Sequence, residues 1–224
     1  MNSLVRIMNK DIIKKAIFWQ ILYIVIYGFC AVIINIYFTD VILFAFGMVG
    51  VVYILFSLFF IKYKRERLFI NGIIGVWSVL FLGSWFGKQL ELESTISIAA
   101  MVTVMDIVSF TRIGKRTVNA KAMANKSVAA RLLVYGIEKN DVLIPTCGFG
   151  DYLYYAMWIS GIHSLSESIQ AYIFGAFMIF VGIIIQSVVI KKLSIRDNFK
   201  GFPGTVFPFL GTVLAYLAVY YVLK

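Results

Sequence analysis

Two aspartates stand inside stretches of the chain that are otherwise apolar: Asp106 within residues 96–110 and Asp151 within residues 145–155. Burying a lone carboxylate in hydrocarbon costs several kcal/mol even on the milder scales, so acids in such places are rare and tend to be functional. Two carboxylates held close in a low-dielectric site cannot both ionise easily; they share a proton and their titrations couple. One can then activate water while the other protonates or polarises a carbonyl. Metal chelation is the competing use of paired acids, but with no His and no further Asp or Glu nearby the coordination shell would be poor. A Ser or Cys nucleophile needs a positioned base, and apart from His163 at the edge of one span the apolar spans hold no His or Lys to supply one. Proton or cation movement, as in transporters, uses the same pair and stays open at this point.

The local sequence says how each acid is placed. Pro145 suits the first turn of a helix, where its missing N–H costs nothing. A helix starting there carries Asp151 less than two turns in, ~9 Å below its start. Gly148 and Gly150 remove side-chain bulk just before the acid and let another chain approach the backbone. Asp106 precedes Arg112, the next basic residue, by a similar ~9 Å of helix. If both edges face the same side, the acids lie at one depth on neighbouring antiparallel helices.

The elements that must hold them follow from composition. The 224 residues are 61% hydrophobic and 14% charged, with a mean hydropathy of +0.90, which no soluble domain of this size needs. The expectation is an all-α integral membrane protein, one polytopic domain over residues 1–224. It has seven spans, at about 16–38, 41–61, 68–87, 95–111, 142–163, 168–190 and 202–223. The net charge of +10 does not indicate nucleic acid, because the charges fall in loops between spans. Of the 21 Lys and Arg, only Lys88 and Lys224 fall opposite the basic segments, which predicts the N-terminus in the cytoplasm and the C-terminus outside, in a plasma membrane. Span four then ends, and span five begins, on the cytoplasmic side. The basic connection 112–140 fits an interfacial amphipathic helix and a plain solvated loop equally well. Cys30 and Cys147 fall within apolar spans and suggest neither a disulfide framework nor a zinc site, and His163 reads as an interfacial residue. No metal and no cofactor is expected.

Gly148-Phe149-Gly150-Asp151 is a GxGD motif, followed by Tyr152-Leu153-Tyr154-Tyr155. With Met105-Asp106-Ile107-Val108-Ser109-Phe110 upstream, it resembles the presenilin and signal peptide peptidase family of intramembrane aspartyl proteases, most closely the archaeal presenilin-like branch. Met105 stands where that family has tyrosine. The family also carries Pro-Ala-Leu at the start of its last helix. Here Pro208-Phe209-Leu210 is the nearer match and Pro203-Gly204-Thr205 the other candidate, so Pro208→Ala is expected to be the more damaging of the two proline changes. The seven spans resemble the last seven of presenilin's nine.

The resemblance implies Asp106 and Asp151 as the catalytic pair. Gly148, Phe149, Gly150, Pro203, Pro208, Phe209 and Leu210 would shape the site, and transmembrane peptides would be the substrates. Two rivals remain at this stage: a prepilin-type leader peptidase, which shares GxGD, and a proton-coupled transporter using the acids as a relay.

Overall fold

The computed structural model describes residues 10–109, 111, 114, 125–138, 142–194 and 202–223. Among these residues eight helices and one hairpin follow in order: α1 (Lys10–Tyr37), α2 (Asp40–Phe59), α3 (Leu68–Gln89), α4 (Leu92–Ser109), α5 (Lys126–Arg131), β1 (Leu133–Glu138), β2 (Val142–Gly148), α6 (Phe149–Ser160), α7 (Ile169–Leu193) and α8 (Val206–Ala218). A 3₁₀ turn, Arg65–Arg67, leads into α3. Another, Gly161–Ser164, continues α6, and a π-helical turn, Val219–Leu223, continues α8. Among the described residues five helices, α1 to α4 and α7, are long and apolar enough to cross a membrane. The two other expected spans are shorter: α6 has 12 residues and α8 has 13.

Apolar attraction does not drive helices together in lipid, so close packing must, and small residues permit it. Helix α3 is the centre. Gly83 and Gly87 lie directly on the Leu153 and Met157 carbonyls of α6, where any Cβ would collide. On its other side Gly50 of α2 meets Ser78. Helices α7 and α8 meet the same way, through Gly182 on Phe207 and Gly211 on Met178. Helix α6 is the most enclosed element: Tyr152, Tyr155, Ala156, Trp158 and Ile159 are all at or below 1% exposure. Two tyrosines pin its backbone, Tyr27 donating to the Tyr152 carbonyl at 2.6 Å and Tyr216 to the Trp158 carbonyl at 2.7 Å. The outer faces of α1 and α2 leave Phe18, Phe29, Val49, Val52 and Phe59 exposed, as lipid-facing helices do.

The hairpin corrects the sequence reading. Residues 142–148 do not open a helical span. They form β2, antiparallel to β1, with Pro145 opposite Tyr135. Both strands are rich in β-branched and aromatic residues (Val134, Tyr135, Ile137, Val142, Ile144, Thr146), and β2 pairs on one side only among the described residues, which is where a proline is tolerated. Pairing also satisfies backbone groups that a bilayer would otherwise leave bare. Within the 112–140 connection, residues 126–131 form the short helix α5, and residues 133–138 form β1, a strand that neither reading of the connection included. Residues 115–124 of it, like Arg6, Arg112, Arg196 and Lys200 of the basic segments, lie outside the described residues.

The hairpin is seated between α1 and α3. Tyr23 of α1 donates to the Tyr135 carbonyl at 2.7 Å, Lys15 pairs with Glu138, and Gly136 lies flat against the Trp19 indole. Arg131 of α5, buried, donates to the Ser57 and Leu58 carbonyls at the end of α2, where a cation complements the helix dipole. The strand therefore delivers α6 into the bundle at a fixed place. The Phe149 ring abuts Gly75 and the Leu153 carbonyl abuts Gly83, so Asp151 lies level with the middle of α3, roughly 10–20 Å from that helix's start.

Candidate active site

Asp151 is the third residue of α6, not a residue nearly two turns along it. From there its carboxylate reaches back to the Gly148 N–H at 3.3 Å, the reciprocal half of a capping box, and sits at the positive end of the helix dipole. Its Oδ2 also accepts the Cys147 thiol at 2.8 Å. Asp106 comes from the last turn of α4, three residues before Ser109 closes the helix. Its Oδ2 accepts two bonds from Thr205, from the backbone N–H and from the hydroxyl, each 3.0 Å.

One cavity of about 470 Å³ joins the two acids. Met101, Val102, Met105, Asp106 and Ser109 of α4 form one wall, the spacing of four placing them on one helix face. Gly150, Asp151 and Tyr154 of α6 form the other, and Thr205 completes it. Helix α4 is the least enclosed of the five long helices, 17% buried over its apolar window, so this wall stands largely against the surroundings of the bundle.

The segment before α8 bridges the acids. Residues 202–205 are not helical, and Thr205 is bonded to Asp106. Its neighbour Gly204 faces Asp151: a Cβ there would lie 3.2 Å from Oδ1. Tyr155 donates to the Gly204 carbonyl at 3.2 Å and holds the segment in place.

The other expected site residues are dispersed. Gly150 lines the cavity, and Gly148 touches Asp151 through its N–H. Phe149 points away and packs on Gly75. Pro203 is half-buried, one residue before Gly204. Pro208, Phe209 and Leu210 are inside α8 and do not line the cavity: Pro208 is buried near Gly182, Phe209 joins the main core, and Leu210 is half exposed. Of the two proline elements, Pro203-Gly204-Thr205 is the one beside the acids. Sequence reasoning named Gly204 and Thr205 only within the Pro203-Gly204-Thr205 element, the less favoured of its two candidates, and missed Cys147, which was read only as an apolar residue. Among the described residues no group of three or more His, Cys, Asp or Glu is placed to hold a metal ion.

The molecule thus belongs to the mostly helical proteins with several helices apolar enough for a membrane, and a carboxylate pair lines one of its cavities. Comparison with protein-family models finds no match to the chain, and comparisons with curated proteins and with solved structures find none either.

Proposed function

We propose that the protein is an intramembrane aspartyl protease that hydrolyses peptide bonds in or near the transmembrane segments of other membrane proteins. The observation that carries this reading is that Asp106 and Asp151, from separate helices, line one cavity with Gly204 and Thr205 between them. The GxGD motif and the second aspartate, in the order found in the presenilin-like family, support it.

One aspartate, ionised, takes a proton from water as the water oxygen adds to the peptide carbonyl carbon. The other, protonated, gives its proton to the carbonyl oxygen. The gem-diol then collapses: the C–N bond breaks, a proton passes to the leaving nitrogen, and the pair returns to one ionised and one protonated acid. No cofactor takes part. Gly150, without a side chain, leaves room for the substrate backbone beside Asp151. The strand β2 runs straight into α6 at Gly148, so an extended peptide laid along its unpaired edge would reach the acids in the conformation that hydrolysis requires.

The seven-span arrangement belongs to the same proposal. Helix α6 with its 3₁₀ turn spans roughly 26 Å, and the hairpin supplies the rest of that crossing. The basic segments favour an N-terminus in the cytoplasm, with the pair toward that side and substrates whose N-termini lie outside. The test is incubation of the purified protein in detergent with labelled single-span peptides. Peptide products support the protease. Proton-coupled flux in vesicles with no product would assign the acids to transport instead.

A further inference from the structure

Each acid of the pair is held by one oxygen only. Asp106 Oδ2 takes the Thr205 N–H and hydroxyl, and Asp151 Oδ2 takes the Cys147 thiol and the Gly148 N–H. Both carboxylates therefore receive one backbone and one side-chain donor on Oδ2. Neither Oδ1 has a hydrogen bond among the described residues, and that of Asp151 faces the Gly204 backbone. The terminal torsion of an aspartate is soft, so an untethered carboxylate would present either oxygen to a substrate.

Building on the protease reading, we propose that Thr205 is a positioning residue of the reaction. Its hydroxyl and amide fix Asp106 so that Oδ1 is the oxygen presented to water or the scissile carbonyl, and Cys147 does the same for Asp151. Thr205 also sets one acid against the other. It is joined by a single peptide, ~3.8 Å between Cα atoms, to the glycine that abuts Asp151, so one dipeptide registers both acids. Thr205 is 1% exposed, so its hydroxyl is held against the carboxylate and not in open solvent. Among the described residues, the other titratable groups around the pair are Tyr154 in the cavity wall and Cys147 and Tyr155 behind Asp151, and no Lys, Arg or His lines the cavity.

Thr205→Val tests this most cleanly, because it keeps the branched shape and the N–H and removes only the hydroxyl. In purified protein with a labelled single-span peptide, kcat should fall about ten- to hundred-fold, the worth of a hydrogen bond to a charged group. KM should stay within about twofold. Thr205→Ser should restore most of kcat. Infrared spectra of protein carrying ¹³C-aspartate, with the Asp106 band identified by its loss in Asp106→Asn, should show that band shifted in Thr205→Val and restored in Thr205→Ser. If Thr205→Val does not fold, Thr205→Ala gives the same readouts. An unshifted Asp106 band, or wild-type kcat without the hydroxyl, overturns the tether, as does equal loss in the Ser variant. The infrared band needs no turnover, so a wild-type protein that cleaves nothing would remove the protease reading and still leave the tether decided by its spectrum.

Discussion

Asp151 and Asp106 each serve the fold as well as the cavity. Asp151 accepts at the start of α6, and Asp106 accepts from Thr205 just before α8 begins. An amide keeps an acceptor oxygen at either place, so Asp106→Asn and Asp151→Asn should fold with thermal midpoints close to wild type, a neutral amide being cheaper to bury than a carboxylate. Gly204 is the sharper probe of geometry. A side chain there enters the space in front of Asp151 Oδ1, so Gly204→Val should lower turnover about tenfold or more through overpacking. Pro208→Ala, outside the cavity, should cost less turnover than Gly204→Val; a larger loss from Pro208→Ala in the same peptide assay would return the substrate contact to the middle of α8. The two acids were legible in the sequence because ionisable groups stand out in apolar runs. Thr205 was visible only as the end of the Pro203-Gly204-Thr205 element and Cys147 not at all, since a hydroxyl or thiol in such a run carries no mark of the distant carboxylate it will meet.

Among the elements, the hairpin was the least legible. Val142-Leu143-Ile144-Pro145-Thr146-Cys147 is short, apolar and unbroken, and such a run reads equally as a buried strand or the start of a buried helix. Its partner strand lay in a connection whose basic residues suggested water. The choice was made by long-range seats: Tyr23 and Trp19 on α1, and Gly72 and Gly75 on α3. The long helices were legible because length and hydropathy alone define them, though α6 and α8 are shorter than the expected spans. If the hairpin positions α6, disturbing its seat should disturb turnover from a distance. Gly136→Val drives a side chain into the Trp19 indole and should lower the thermal midpoint and turnover together. Adding Trp19→Ala should recover part of both, as the smaller side chain vacates the space. A double variant no better than Gly136→Val would detach the hairpin's seat from the site.

At the scale of the molecule, the positive-inside pattern and the central acid pair make one joint claim about direction. Reporter fusions after Ser194 and at the C-terminus should place the former in the cytoplasm and the latter outside; the reverse would turn the cavity toward the other face of the membrane. The central claim, peptide hydrolysis by the pair, is tested most directly by following a single-span peptide by mass spectrometry with wild type, Asp106→Asn, Asp151→Asn and the double variant. An amide supplies neither the base nor the transferable proton, so each single change should lower cleavage roughly 10²–10⁴-fold. The double variant should be no worse than either, since residues that act as a unit are not additive. Product formation at the wild-type rate by either single variant, or none by the wild type, would contradict the assignment of Asp106 and Asp151 as a proteolytic dyad.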